Sequence, residues 1–146
     1  MTMRLKLYTL LCASFLFLFT SCNQDDDPVP PEAGSKTVLV YIVADNSLAS
    51  FAKEDVEEMI EGMKLVGSSS CNLLVYQDDR NTPVLFRIAK DKKGNVEKEV
   101  IKEYAEQVST DVSVMKEVMH RAFYEYPADS YGLVYWSHAD GWIPYP

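Results

Sequence analysis

Short apolar runs alternate along the chain with longer amphipathic stretches, which is the pattern of an α/β domain. Three runs rich in β-branched and aromatic residues, at 37–44, 72–76 and 131–136, predict buried parallel strands. The run at 131–136 predicts a strand that is buried on both faces. Two more polar runs, at 84–89 and 96–101, flank a Lys-Lys-Gly-Asn turn and predict an antiparallel hairpin.

Two amphipathic segments predict the helices of this domain. Apolar residues recur at helical spacing over 48–64, after an Asp-Asn-Ser stretch at 45–47 that offers capping side chains. A second apolar stripe follows Asp111, which is predicted to cap its helix, and Pro127 ends that helix. These elements predict an α/β/α sandwich with a mostly parallel sheet. Three parallel strands and two helices make a thin core, so we expect the domain to be incomplete.

The first 21 residues predict a lipoprotein signal peptide. Arg4 and Lys6 precede an uncharged apolar run of thirteen residues at 7–19, whereas a membrane-spanning helix needs about 20. The next residues, Phe-Thr-Ser-Cys, resemble a lipobox, in which Cys22 carries the lipid; Phe19 replaces the more usual Leu. An uncleaved anchor or an ordinary signal peptide are the alternatives. We expect residues 22–35 to be an acidic, proline-rich tether and residues 36–146 to fold.

Charge and cysteine content narrow the classes of partner and site. Removal of residues 1–21 takes away Arg4 and Lys6 but no acidic residue, so the net charge changes from −8 to −10. An acidic surface repels nucleic-acid phosphates, and nucleic acid is therefore not an expected partner. Cys12 leaves with the signal and Cys22 is lipidated, so Cys71 remains alone. The mature sequence therefore predicts neither an intradomain disulfide nor a cysteine metal cluster.

Polar side chains follow the predicted parallel strands at the edge where functional crevices of α/β sheets form. His138 comes directly after the last strand, and it is the strongest candidate for chemistry. Four acidic residues fall at the same edge: Asp45, Asp78, Asp79 and Asp140. Together they offer the oxygen ligands that a calcium ion prefers. We favour plainer roles, in which Asp45 caps a helix while Asp78 and Asp79 begin a turn.

Several stretches resemble the clostripain family of cysteine peptidases, which has a caspase-like fold. They are KTVLVYIVADNSL, NLLVYQDD, STDVSVMKEVM and, most specifically, YGLVYWSHADGW. The resemblance covers residues 36–146 and implies that His138 is the catalytic general acid/base. It also implies that the backbone N–H of Ala139, where many members have glycine, contributes to an oxyanion hole. The implied activity is cleavage of peptides after basic residues.

The nucleophile that this chemistry requires is not found at a suitable position in the chain. In caspases the catalytic cysteine follows the histidine by about 50 residues, which would place it near position ~185, beyond Pro146. Cys71 precedes the second strand whereas His138 follows the third, so the two should lie about 17 Å apart at opposite edges of the sheet. We therefore expect a lipid-anchored peptidase whose cysteine lies on a C-terminal segment or a separate chain. Its expected location is the outer membrane, on the periplasmic side or at the cell surface.

Two other functions stay open at this point. One is a catalytically inactive lipoprotein that binds a peptide or a glycan at the same crevice. The other is a metal-dependent hydrolase that uses His138 together with the aspartates. The second histidine, His120, falls on the polar side of its helix and is expected to be solvated. Trp136 and Trp142 are expected to pack in the core and at its rim, and Cys71 is expected to be a small apolar residue at a strand start.

Overall fold

The computed structural model describes residues 34–66 and 71–139, which form a five-stranded sheet with a helix on each face. The strands are β1 (Lys36–Val43), β2 (Cys71–Asp78), β3 (Val84–Lys90), β4 (Val96–Glu103) and β5 (Ser130–Trp136). The helices are α1 (Ala49–Leu65) and α2 (Val112–Glu125). Each predicted strand and helix is present, with bounds that differ from the prediction by at most two residues. Neither described helix has the length and apolarity that would let it span a membrane.

The sheet has the strand order β4-β3-β2-β1-β5. β1 pairs in parallel with both β2 and β5, while β3 is antiparallel to its two neighbours. The apolar strand β1 therefore lies inside the sheet, where both of its edges are paired and both of its faces are covered. Because β1, β2 and β5 are parallel, their carboxyl ends meet at one edge of the sheet, as the sequence predicts.

The core has two layers because successive residues of a strand point to opposite faces. α1 covers one face and α2 covers the other, so each of the two central strands is packed on both sides. The buried side chains that point towards α2 are those of Leu39, Tyr41, Leu74 and Tyr76. Towards α1 point those of Val40, Ile42 and Val75.

β5 differs from the prediction of a fully buried strand. Its side chains at Tyr131, Leu133, Val134 and Tyr135 are 47–51% exposed. The reason is its position, because β5 lies at the edge of the sheet and pairs only with β1. Within the described residues, no further strand continues the sheet beyond β5. The apolar run correctly predicts the strand, but the prediction of its burial is wrong for this part of the chain.

The polar residues at helix starts and turns differ from the prediction in two places. Asp78 does not begin a turn, because β2 extends through it and buries its side chain. Asn46, and not Asp45, supports the start of α1, because Asn46 Oδ1 accepts a hydrogen bond of 2.8 Å from the backbone N–H of Leu48. The side chain of Asp111 caps α2, as predicted. Asp79 holds the turn after β2 by accepting a 2.8 Å hydrogen bond from the backbone N–H of Asn81, also as predicted.

Candidate active site

His138 lies two residues beyond β5, at the edge where the parallel strands end. Its Nε2 atom lies 3.1 Å from the hydroxyl oxygen of Ser47, which lies between β1 and α1. Both side chains are exposed. The loops that follow two neighbouring parallel strands therefore meet at the histidine, in the position where α/β domains build their sites. Sequence reasoning missed Ser47 as a partner of His138; its position just after β1 was the only available signal.

Backbone contacts hold the segment that carries Ser47. The N–H of Ala44 donates to the carbonyl oxygen of Asp78 at 2.6 Å, and the N–H of Asn46 donates to that of Ala44 at 2.7 Å. Arg80, in the turn after β2, donates to the carbonyl oxygen of Asn46 at 3.3 Å. Because these contacts tie the segment to the end of β2, they also fix the hydroxyl that meets His138.

A side-chain hydrogen bond connects the end of β5, just before the histidine, to α1. The indole Nε1–H of Trp136 donates to Asp55 Oδ2 of α1 at 2.7 Å, and the ring packs against the core layer that faces α1. The predicted packing role of Trp136 is confirmed, and the hydrogen bond is an addition to it. Trp142 and Asp140 lie outside the described residues. Since Trp136 precedes His138 by two residues, this hydrogen bond to α1 helps to position the segment that carries the histidine.

Ala139 directly follows His138, and its side chain is exposed. Its backbone N–H is the group that the resemblance assigns to an oxyanion hole. The predicted lipidation site, Cys22, lies outside the described residues. His120 is exposed on α2 and stacks on Tyr124 with ring centroids 5.6 Å apart, which agrees with the predicted surface position.

Cys71 and His138 lie at opposite edges of the sheet. Cys71 aligns with Lys36 of β1, and Lys36 aligns with Ser130 at the start of β5. Trp136 is six residues further along β5, which corresponds to about 20 Å, and His138 follows it. A nucleophile and its general base must be within about 3 Å of each other. The register therefore excludes Cys71 as the nucleophile that works with His138.

The described aspartates of the same edge do not form a metal cluster. Asp45 is exposed, Asp79 is half-buried, and Asp78 is only 4% exposed. Among residues 34–66 and 71–139, no group of three His, Cys, Asp or Glu side chains is placed to hold one metal ion. The calcium site suggested by the sequence is therefore not assembled from Asp45, Asp78 and Asp79.

A cavity of about 440 Å³ opens beside Asp78, on the α2 side of the strand ends. Burial raises the pKa of the Asp78 carboxyl above its ordinary value of 3.8. The Ser109 hydroxyl opposes this effect, whereas the carboxylates of Glu106, Asp45 and Asp79 add to it. Burial is also the main cause that raises the pKa of the neighbouring Tyr76. The cavity is thus an acidic one, with a buried carboxyl at its wall.

A mixed α/β sheet with an exposed histidine at the carboxyl end of a parallel strand is the arrangement expected of a caspase-like peptidase. The profile of the Clostripain family, Peptidase C11, matches residues 40–146. The chain therefore belongs to the clostripain family. No curated protein sequence matches it significantly.

Solved structures of bacterial cysteine proteases are similar to this chain. A Bacteroides fragilis cysteine protease is 57% identical with a TM-score of 0.72, covering 77% of this chain and 96% of its own. A secreted C11 cysteine protease from Bacteroides thetaiotaomicron, in complex with an irreversible peptide inhibitor, is 57% identical with a TM-score of 0.71. That match covers 77% of this chain and 32% of the relative's.

The third relative is an inactive zymogen C11 protease from Parabacteroides distasonis, which is 36% identical with a TM-score of 0.70. The match covers 80% of this chain and 34% of the zymogen chain. This chain thus spans about a third of two of these relatives and nearly all of the Bacteroides fragilis chain. The likeness confirms the predicted fold class, a caspase-like α/β fold with a mostly parallel sheet.

Proposed function

We propose that this chain is the histidine-bearing part of a lipid-anchored cysteine endopeptidase that cleaves peptides after basic residues. The observation that supports this most is the position of His138, at the carboxyl edge of β5 and 3.1 Å from Ser47, in a chain of the clostripain family. An exposed imidazole at that edge is accessible to a peptide and can exchange protons with it.

The proposed reaction needs a thiolate and this imidazole. The thiolate sulfur forms a bond to the carbonyl carbon of the substrate, and the amide C–N bond breaks as His138 donates a proton to the departing amine. Water then attacks the thioester carbon while His138 accepts a proton from that water, and the C–S bond breaks to release the acid product and regenerate the thiolate. The backbone N–H of Ala139 stabilises the oxyanion that forms in both steps.

The thiolate comes, in this proposal, from a further segment or a separate chain. Cys71 is too distant, and the outer edge of β5 presents half-exposed Leu133, Val134 and Tyr135. An unpaired apolar edge strand readily accepts another strand. We propose that the cysteine-bearing segment pairs with this edge, which would place its cysteine beside His138. The much longer chains of two similar C11 proteases support such a segment.

The substrate and the location rest on separate observations. A secreted C11 protease that is 57% identical binds a peptide inhibitor, which supports a peptide substrate here. The family resemblance supports cleavage after basic residues, and the net charge of −10 after removal of residues 1–21 favours cationic peptides. The apolar run and the Phe-Thr-Ser-Cys stretch support lipidation at Cys22 and attachment to the outer membrane. Loss of membrane attachment in a Cys22→Ala variant would test that part.

The test of the activity compares two histidine variants of the full-length protein. With a series of peptides that differ only at one Arg, Lys or neutral residue, we expect cleavage after Arg or Lys. His138→Ala should lower the rate by a factor of about 10²–10⁴, whereas His120→Ala, an exposed histidine on α2, should leave it unchanged. Thiol alkylation should also abolish activity.

Two results would contradict the proposal. If the full-length protein cleaves no peptide under reducing conditions with calcium present, the chain belongs to an inactive member that only binds. If a chelator abolishes activity while alkylation does not, the reaction is metal-dependent hydrolysis instead.

A further inference from the structure

The acidic cavity at the ends of β1 and β2 is separate from the position of His138 at the end of β5. Its wall contains Asp78, which is only 4% exposed. Within the described part of the chain, the Oδ1 atom of Asp78 is buried without a hydrogen-bond partner. Leaving a buried carboxylate oxygen unpaired costs free energy that a bound donor would recover. The unpaired oxygen therefore points to a ligand that donates hydrogen bonds.

The neutral groups around Asp78 are largely engaged with each other, and the Ser109 hydroxyl lowers the pKa of Asp78 while its Oδ1 atom has no partner among the described residues. Tyr41 donates its hydroxyl proton to the carbonyl oxygen of Ser109 at 2.8 Å. The hydroxyls of Tyr76 and Ser109 share a hydrogen bond of 2.7 Å, and Gln107 donates to Tyr76 at 3.2 Å. Gln107 and Ser109, which line the cavity, thus belong to a network of neutral hydrogen-bonding groups. Its charged lining residues, Asp45 and Glu106 beside Asp78, are all acidic.

We propose that this cavity binds the cationic end of a lysine or arginine side chain, with its charge on Asp78 and its alkyl stem between Val43 and Val108. Both valines line the cavity, and Val108 is 69% exposed. Long basic side chains place their apolar stems on such surfaces and their charge in a polar site. A metal ion fits less well, since the described carboxylates do not converge on one point.

The cavity lies within reach of the same peptide that His138 would cleave, so the inference rests on the proposed function for its place in catalysis. Asp78 ends β2, and β1 alone separates β2 from β5. Two strand spacings amount to about 10 Å, which an extended peptide covers in about three residues. The cavity is therefore a second subsite for a basic residue. The same chemistry could also come from a basic residue in the protein's own remaining sequence.

The test measures binding at Asp78 directly and does not depend on catalysis. The full-length protein is labelled with ¹³C at aspartate carboxyl carbons, and the Asp78 signal is assigned by its loss in Asp78→Asn. The probe is N-acetyl-arginine methylamide, and the control is the uncharged citrulline analogue of the same shape. We expect the arginine probe, but not the citrulline analogue, to shift the Asp78 signal. In calorimetric titrations with the same arginine probe, Asp78→Asn should weaken binding by at least about tenfold, whereas Glu58→Gln, exposed on α1, should not.

The other outcomes are equally distinct. If the probe does not act on Asp78 but Asp78→Asn lowers the melting temperature, a basic residue of the protein itself fills the cavity. If neither the arginine probe nor the citrulline analogue shifts the Asp78 signal, and Asp78→Asn leaves the melting temperature unchanged or raises it, the proposal is wrong. It is also wrong if calcium chloride, and not the arginine probe, shifts the signal. Because binding is read at Asp78, an inactive enzyme would leave this result interpretable.

Discussion

The Nε2 atom of His138 and the hydroxyl oxygen of Ser47 lie 3.1 Å apart, which joins the residues that follow β5 to those that follow β1. The bond decides which ring nitrogen faces the solvent. If Nε2 carries the proton and donates to Ser47, Nδ1 keeps the free lone pair; if Ser47 donates, Nδ1 carries the proton. In both cases the hydroxyl holds the ring in one orientation. Ser47 is thus a positioning residue for the proposed general acid/base.

Replacement of Ser47 by Ala should lower kcat for peptide cleavage by the full-length protein about fivefold, the effect of one hydrogen bond of about 1 kcal/mol. KM should stay the same, because the serine positions His138 and not the substrate. Ser47→Thr, which keeps the hydroxyl, should restore most of the rate. Ser50→Ala, exposed in the first turn of α1, is the control, and an equal effect of both alanine variants would contradict a positioning role.

The Trp136–Asp55 hydrogen bond should contribute to the stability of the edge strand. It is 2.7 Å long, partly buried and made to a charged acceptor, so Asp55→Ala should lower the free energy of unfolding by about 1.5–3 kcal/mol. Asp55→Asn keeps an acceptor oxygen and should lose less. Denaturant titration measures both effects, and the indole N–H signal of Trp136 should move in the NMR spectrum. Glu54→Ala, exposed at the neighbouring position, should change little; equal losses at 54 and 55 would rule out this hydrogen bond as the cause.

The elements could be predicted from the sequence because their signals are local. The β-branched run of β1, the stripe of α2 and the capping Asp111 each depend on residues close in the chain. The exposure of β5 could not be predicted, because an apolar run identifies a strand but not the neighbours that cover it. The prediction that Asp45 caps α1 was wrong for a similar reason. Asp45 and Asn46 are both good capping residues, and only the path of the chain selects between them.

The site could be predicted only in part for the same reason. His138 was identifiable from its motif and its place after a strand. Its contact with Ser47 depends on β1 and β5 being neighbours in the sheet, and no single segment of the sequence predicts the order of the strands. Asp78 was expected to begin a turn, yet β2 extends two residues further than predicted and carries this carboxyl into the sheet. The burial of Asp78 is what distinguishes its carboxyl from that of an ordinary turn residue.

The core layer on the α2 side should be sensitive to loss of volume. Leu74 is fully buried in the middle of β2, so Leu74→Ala should lower the free energy of unfolding by about 2–5 kcal/mol through lost apolar contact and a residual cavity. Leu65 is 90% exposed at the end of α1, and Leu65→Ala should change the free energy of unfolding by no more than about 0.5 kcal/mol. Denaturant titration of the two variants provides the comparison. Similar losses at the two positions would show that the assigned packing is wrong.

The pH dependence of stability should show whether the Asp78 carboxyl is unpaired. Burial, with added repulsion from Glu106, Asp45 and Asp79, raises its pKa in the folded protein above the ordinary value of 3.8. The folded state then holds the proton more tightly than the unfolded state, so this group stabilises less as pH rises from 3.8 through the raised pKa. Above that pKa the full penalty of a buried charge is present.

Asp78→Asn removes this titration, and the difference in unfolding free energy between wild type and variant isolates it from all other carboxyls. In the absence of a bound cation, the variant should be the more stable protein at neutral pH, and its advantage should shrink as the pH falls towards 3.8. Asp91→Asn is the matched control, because hydrogen bonds from Asn95 lower the pKa of that exposed carboxyl and the sign should reverse. A saturating arginine probe should abolish the advantage of Asp78→Asn, since a cation bound to the carboxylate stabilises only the wild type. A pH-independent difference between wild type and Asp78→Asn would show that the carboxyl is not desolvated in the folded protein.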